Sequence, residues 1–348
     1  MQTKKPLGFA VIGCGRIAPN HGQAIAALED AVLVAAADVI KERAVVYTDR
    51  FGGEPYMSYK EMLERPDIDV VCICTPSGMH AEIGIAAAKS GKHVLVEKPM
   101  ALSLRDADAL IAACNEYGVK LGVVHQNRFN PVIVRLRQAL EAGRFGQLNM
   151  GTAVLRWNRD QNYYAQAPWR GTWAQDGGCL MNQTIHCIDL LQWMMGPAES
   201  VYANTATRMR EIEAEDNAAA VLRFKNGALG MIESSVTIYP MNLEETLNIF
   251  GATGSVVIGG VAVNRIEAWR FADGTDSEES ILTEQQADPA SVYGHGHRPL
   301  IADFIEAIRD GREPAVAGPE GRKALEIILG IYKSTRTGQP VRFPFVED

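Results

Sequence analysis

No stretch of the 348-residue chain approaches the ~20 consecutive apolar residues that a bilayer-spanning helix needs, so a membrane partner is not expected. Residues Met1 to Pro6 lead straight into an apolar segment without a signal-type apolar region, which makes the cytoplasm the expected location. Positive charge is also short. There are 34 Lys and Arg against 42 Asp and Glu, a net charge of -8, and no basic run that could follow a phosphate backbone. Nucleic acid is therefore not an expected partner. Cysteine is scarce: the 6 residues, at 14, 72, 74, 114, 179 and 187, lie mostly inside apolar segments and read as reduced core thiols. Cys72 and Cys74 alternate with Val71 and Ile73 along one strand, without the spacing or turn of a zinc knuckle, so no metal is expected. Internal repeats and low-complexity tracts are missing too. What remains is ordinary globular composition, 47% apolar and 22% charged, with length enough for two domains.

The first half carries a regular rhythm. Leu7 to Ile12 is an apolar strand, followed at once by Gly13-Cys14-Gly15-Arg16-Ile17-Ala18 and a helical pattern through Leu28. This is G-x-G-x-x-A. The first glycine serves a tight turn, the second lets a pyrophosphate approach backbone amides at a helix N-terminus, and the small Ala18 allows helix and strand to pack closely. A second strand, Val32 to Ala37, ends in Asp38, about 20 residues past the glycines, where a carboxylate can take the adenosine ribose hydroxyls. A 2'-phosphate near Asp38 would meet repulsion on the order of 4 kcal/mol per unit charge at about 4 Å and an effective dielectric of about 20. NAD is thereby favoured over NADP, and Lys41 and Arg43, in the following helix, weaken that preference without reversing it. Asp38 also suits an N-cap. Strands at 68–74, 94–96 and 119–124 alternate with helices at 81–89 and 103–117, which predicts right-handed βαβ units and a doubly wound parallel sheet of the Rossmann kind over residues 1–125.

Glu97-Lys98-Pro99 stops the strand Val94 to Val96 abruptly, because Pro99 has no N–H to give to a ladder. Lys98 is thus presented at the carboxyl end of a strand, the edge at which open α/β sheets bind ligands. Thr75-Pro76 closes the neighbouring strand, and His80 beyond it is either a helix-start residue packed on the sheet or a wall of the cofactor site.

Residues 126–348 read as a second, α+β domain. It opens with Gln126-Asn127-Arg128-Phe129-Asn130-Pro131 and an amphipathic helix ending near Gly143. Strand-like runs follow at 148–157, 200–206, 218–224, 228–238, 244–250, 255–258 and 263–271. Short connections at Lys225-Asn226-Gly227 and Gly251 to Gly254 mark hairpins and a largely antiparallel sheet. Residues 272–290 read as a surface loop, and helices at 299–310 and 319–335 close the chain. After Gly177-Gly178, a helix Cys179 to Met195 carries Asn182, His186 and Asp189 at i, i+4 and i+7 among apolar neighbours. From this helix alone the stripe reads as a core histidine held by Asp189. Upstream, Arg156-Trp157-Asn158-Arg159 and Tyr163-Tyr164 through Pro168-Trp169-Arg170-Gly171 concentrate arginine and aromatics. That mix suits anionic, ring-shaped ligands, and equally an oligomer interface.

Taken together, GCGRIA at 13–18, Asp38, TPSGMH at 75–80, EKP at 97–99, QNRFNP at 126–131 and the Gly-Gly helix bearing His186 resemble the glucose-fructose oxidoreductase, inositol dehydrogenase and MocA family over essentially the whole chain. The resemblance implies NAD held by Gly13, Gly15, Arg16, Ile17, Asp38, Thr75, His80, Glu97, Lys98 and Gln126, with Lys98 and His186 catalytic beside the nicotinamide. It implies a homo-oligomer, a tetramer, in which the open sheet of the second domain packs. The family commonly has an aspartate four residues before the histidine, where this chain has Asn182, which leaves His186 or Lys98 to take the hydroxyl proton.

Within the family, QNRFNP, YYAQAPWRGTW at 163–173, MNQTIHCIDLLQW at 181–193 and AVNRIEAWRF at 262–271 look most like the bacterial UDP-N-acetylglucosaminuronic acid 3-dehydrogenases. Those enzymes oxidise the sugar 3-hydroxyl on the way to surface polysaccharides. On this resemblance Lys98, Arg156, Tyr163, Trp169, Arg170, Asn182, Gln183 and His186 form the substrate site. A free-sugar or inositol dehydrogenase, and a non-catalytic NAD-binding regulator of the same fold, are the competing readings.

Overall fold

The computed structural model describes residues 5–283, 294 and 296–347. The chain opens with β1 (Leu7–Ile12), α1 (Ala18–Ala26), β2 (Ala31–Ala37), α2 (Lys41–Phe51), β3 (Glu54–Tyr56), α3 (Tyr59–Leu63), β4 (Val70–Ile73), α4 (His80–Lys89), β5 (His93–Val96), α5 (Leu104–Glu116) and β6 (Leu121–Val123). These strands form one parallel sheet in the order β3-β2-β1-β4-β5-β6. Residues Val70 to Ile73 are buried throughout, as a strand covered by helices on both faces must be. Ser103 caps α5 by accepting from the Asp106 N–H at 3.0 Å. The order reverses between β1 and β4, so the segments after Ile12 and Ile73 flank the place where a doubly wound sheet binds its ligand.

The chain continues through α6 (Pro131–Glu141), β7 (Leu148–Arg156), α7 (Gln161–Ala165), a π-helical turn at Leu180–Thr184, α8 (Ile185–Met195), β8 (Ala198–Ala206), β9 (Asn217–Phe224), β10 (Leu229–Ser235), β11 (Glu244–Gly251), β12 (Gly254–Gly259), β13 (Arg265–Phe271), α9 (Glu278–Thr283), α10 (His297–Asp310), α11 (Gly318–Thr337) and β14 (Val341–Arg342). Eight strands form the second sheet, in the order β13-β12-β11-β7-β10-β9-β8-β14. Its pairs are antiparallel except β7 with β10. On β7, Gly151, Ala153 and Leu155 are buried while their neighbours are half-buried. A Cβ on Gly151 would stand 2.8 Å from Leu191 and Met195, which puts α8 against that face. The opposite face leaves Tyr202, Val221, Leu229 and Met231 exposed.

By their contacts the residues fall into two compact units, 1–125 with 296–322, and 126–295 with 323–348. Residues 296–322, which the sequence reading keeps in the second domain, join the first instead. Leu300, Ile301, Phe304 and Ile305 of α10 are buried, α10 packs on α1, Arg309 pairs with Asp30 at 2.6 Å, and Gly122 bridges to Ala317. The surface-loop expectation for 272–290 also needs correction, because Glu278–Thr283 is helical; the Glu278 carboxylate accepts from the Trp269 N–H at 3.1 Å and the Arg270 Nε at 3.0 Å. Residues 284–290 lie outside the described residues. Among the described residues no helix is long and apolar enough to cross a membrane.

Candidate active site

Gly13 has φ +90, and a Cβ there would lie 2.8 Å from the Cys74 carbonyl group. Only glycine fits that turn. At Gly15 the requirement differs: a Cβ would meet nothing within 4 Å, so the glycine leaves open space over the backbone, as close approach by a pyrophosphate requires. Asp38 organises this loop. Its Oδ2 accepts from the Cys14 N–H and its Oδ1 from the Ile40 N–H, both at 2.8 Å. The N-cap position of α2 is Ile40, so Asp38 acts as a turn anchor two residues earlier rather than as the expected cap. Burial and the neighbouring Asp38 push the Cys14 thiol up to about 12, which keeps it neutral. Arg16 is exposed, Ile17 precedes α1, and the buried Thr75 Oγ1 has no hydrogen-bond partner. Open space at Gly15, an unsatisfied hydroxyl at Thr75 and a carboxylate at the end of β2 fit a dinucleotide.

The Glu97-Lys98-Pro99 turn is built around a buried acid. Glu97 Oε1 lies 2.9 Å from His21 Nε2 of α1 and 3.8 Å from His297 Nε2 of α10, and its Oε2 accepts from the Lys98 N–H at 3.2 Å. Burial opposes ionisation of Glu97, but hydrogen bonds from the two imidazoles hold its carboxyl well below the usual range. Burial also opposes charge on His21, yet Cys74, Cys72 and Glu97 together carry its pKa well above the ordinary imidazole value. His297 is lowered, by burial first and then by His21. The result is one buried imidazolium–carboxylate pair with a second, neutral imidazole beside it. The three ligand atoms lie within 4.8 Å of one another, a His2Glu set. The direct His21–Glu97 contact puts a proton where an ion would have to sit.

His80 is the first residue of α4. Its Nδ1 lies 2.7 Å from the Pro99 carbonyl oxygen and its Nε2 2.9 Å from that of Thr75, so the ring braces the turn that follows β4 against the turn that bears Lys98. Two carbonyl acceptors favour the doubly protonated ring, but burial dominates and lowers its pKa. Lys98 is half-buried. His21 and His297 escaped the sequence reading; His21 left a weak trace as a polar residue in the apolar stripe of Ala18 and Ile25, and His297 left none.

In the second unit, the helix read as continuous from Cys179 starts with the π-helical turn. Gly178 explains how this arises: a Cβ there would fall 1.9 Å from Glu215 Oε2. The buried Glu215 carboxylate instead accepts from the Leu180 N–H at 2.9 Å and from Tyr332 Oη at 3.1 Å, while its backbone carbonyl takes the Cys179 N–H. Burial pushes Glu215 up to about 7 despite these donors. Such turns are frequent at functional sites.

His186 is buried on α8, and Asp189 of the same helix holds a residue that the helix alone does not point to. Its two oxygens receive Arg128 Nε and Nη2 at 2.7 and 2.6 Å, a buried bidentate pair, with Arg128 also over the Trp193 ring. Five of the expected substrate residues do come together, Trp169 through its contact with Arg170. Arg170 Nη1 donates to Tyr163 Oη and its guanidinium lies 4.3 Å from that ring; Gln183 Nε2 donates to Tyr163 Oη and to Asn182 Oδ1, each at 3.1 Å. Arg170 also lies over Trp169, and Arg159 over Trp157 and Tyr163. Arg156 is not among them. Strand alternation turns it to the open sheet face, where Glu233 and Glu244 take its guanidinium. Gln126 begins a 3₁₀ turn of the second unit, Gln126–Phe129.

Residues 7–125 match the model of an oxidoreductase family with an NAD-binding Rossmann fold, and residues 133–257 the GFO/IDH/MocA C-terminal domain. A myo-inositol 2-dehydrogenase of Thermotoga maritima is 30% identical over 96% of this chain and 98% of its own. The chain belongs to the GFO/IDH/MocA family. Its cofactor is NAD, and it is an NAD-dependent sugar dehydrogenase. Among solved structures it is similar to the WlbA dehydrogenase of Bordetella pertussis in complex with NADH and UDP-GlcNAcA, at 41% identity and TM-score 0.91 over 99% of both chains. It is also similar to the WlbA dehydrogenase of Chromobacterium violaceum with the same two ligands, at 38% identity and TM-score 0.92 over 99% of this chain and 98% of that one.

Proposed function

We propose that this GFO/IDH/MocA enzyme oxidises the sugar 3-hydroxyl of UDP-N-acetylglucosaminuronic acid to a 3-keto group, in the supply of nucleotide sugars for a bacterial surface polysaccharide. The observation that carries the reading is the Arg170–Tyr163–Gln183–Asn182 network, which joins anion-binding and ring-stacking groups to the turn before His186. Full-length similarity to two dehydrogenases solved with UDP-GlcNAcA supports it. The first unit serves the cofactor, through Gly15, Asp38 and Thr75, and the second serves the substrate. Arg159 and Arg170 meet the anionic groups, with Tyr163 and Trp169 offering ring faces. Lys98 hydrogen-bonds and polarises the reacting oxygen, and His186 removes its proton. NAD, when bound, accepts the hydride. Arg156, already held by two glutamates, has no part in this site. The exposed sheet face with Tyr202, Val221, Leu229 and Met231 supports a homo-oligomer, with a tetramer the expected form, in the cytoplasm.

The test is NADH formation with UDP-N-acetylglucosaminuronate, set beside UDP-N-acetylglucosamine, the uronic acid without its nucleotide, and myo-inositol. Turnover is expected to need both the nucleotide and the carboxylate. Equal kcat/KM for myo-inositol, the substrate class that the Thermotoga maritima relative favours, would replace this reading with a cyclitol dehydrogenase.

A further inference from the structure

We infer that Asp176 is a positioning residue: its carboxylate fixes the side-chain amide of Asn182 so that the carbonyl oxygen, not the amino group, is turned to Gln183 and the Tyr163–Arg170 pair. The inference rests on the reading of those residues as the substrate site. Asp176 is 1% exposed. One of its oxygens is tied to the Gly171 N–H at 2.7 Å, across a turn closed by bonds from the Asp176 and Gly177 N–H groups to the Thr172 carbonyl. The other accepts from Asn182 Nδ2. Both oxygens of Asp176 accept, one from the Gly171 N–H and the other from Asn182, so the Asn182 atom facing it is the amino nitrogen. The opposite end of that amide is then an acceptor, and it takes Gln183 Nε2.

The direction of every later bond follows. Gln183 donates to Asn182 and to Tyr163, Arg170 also donates to Tyr163, and Tyr163, having accepted twice, keeps its own hydroxyl hydrogen to give to a ligand. If residue 176 became a donor, Asn182 would turn over, Gln183 would follow, and the hydrogen-bonding character of the site would invert. Asp176 thus acts on the substrate through three side chains and without touching it.

Exchange of the two residues tests this. In Asp176→Asn, two amino groups compete for one contact, and kcat/KM should fall by about 10- to 100-fold, the scale of a lost or inverted buried hydrogen bond. In Asn182→Asp, two carboxylates face one another and hold one proton between them, so one pKa is raised. A folded-state pKa above the unfolded value stabilises below the unfolded pKa and loses that contribution as pH rises through the folded one. The melting temperature of Asn182→Asp should therefore drop below that of the wild type progressively from about pH 4 upward. Tyr164 senses the Asp176 charge, Tyr163 joins Asn182 through Gln183, Arg159 and Arg170 lie over the Tyr163 ring, Glu215 holds the Leu180 N–H of the turn that bears Asn182, and His186 follows on α8; all are common to every variant. In the double exchange Asp176→Asn with Asn182→Asp, the amide now at position 176 can accept from the Gly171 N–H and donate to the carboxylate now at position 182, so the oxygen turned to Gln183 is again an acceptor. Its melting curve should run parallel to that of the wild type across pH, and kcat/KM should return to within about threefold.

A double variant no better than the worse single, or an Asn182→Asp melting curve parallel to that of the wild type, would overturn the inference. Absence of wild-type turnover with UDP-N-acetylglucosaminuronate would sink the substrate reading instead, and the melting series would still decide the Asp176–Asn182 contact.

Discussion

Two buried glutamates show how differently the halves of this enzyme handle charge. Glu97 of the first unit faces His21 and His297 and is held well below the usual carboxylate range. Glu215 of the second meets neutral donors, the Leu180 N–H, Tyr332 Oη and the Cys179 thiol, and burial pushes it up to about 7. Both acids lie under turns that bear proposed site residues, Glu97 beneath Lys98 and Glu215 beneath the π-helical turn that carries Asn182. A charge paired with an imidazolium survives in a dry interior, whereas one offered neutral donors tends to neutralise. The NAD-binding unit therefore holds a buried ion pair, and the second unit a buried carboxyl that leans toward the neutral form.

The largest effect is expected at His21. His21→Ala leaves Glu97 buried without its imidazolium, and the cost should be about 3 to 5 kcal/mol in denaturant unfolding near neutral pH. A loss under about 1 kcal/mol would mean that the pair contributes little. In catalysis, Lys98→Ala and His186→Ala should each lower turnover by roughly 10²-fold while NAD affinity stays nearly constant. Of the two, His186→Ala should remove an imidazole-like limb from the turnover-versus-pH curve; survival of that limb would assign the proton transfer elsewhere. The smallest effect is expected at Glu215. Because its folded pKa is raised, its contribution to stability is present below the ordinary carboxylate pKa and is lost as pH rises toward about 7. Glu215→Gln should match the wild type at acidic pH and exceed it above neutrality by on the order of 2 kcal/mol in urea unfolding. Parallel stability curves for the two proteins would show that Glu215 stays ionised and is paired after all.

The same contrast governs what could be read from sequence. β1 spans the expected residues, Leu7–Ile12, because an unbroken apolar run ends at glycines that local sterics require. Lys98 at a strand end and Asn182 and His186 one turn apart were legible from local order alone. The π-helical turn was not, since it depends on Glu215, far along the chain, reaching Leu180 through the gap at Gly178. The pairing of Asp189 with Arg128 is hidden for a related reason: Arg128 lies 61 residues upstream. The place of Arg156 was available in principle from the alternation of Gly151, Ala153 and Leu155 with Met150, Thr152 and Val154, which puts position 156 on the open face. Its grouping with Trp157 and Arg159 instead reflected sequence adjacency. Residues 296–322 join the first unit through the apolar side of α10 on α1, a choice of partner that periodicity leaves open.

The proposed reaction is oxidation at one carbon of one nucleotide sugar. The enzyme would be incubated with UDP-N-acetylglucosaminuronate and NAD, the product reduced in place with borodeuteride, and the position of deuterium on the sugar ring read by NMR. Deuterium at C3 is the expected result, and its initial rate of appearance should fall roughly 10²-fold in His186→Ala. Deuterium at C2 or C4, or none with this substrate alongside turnover of myo-inositol, would contradict the assignment.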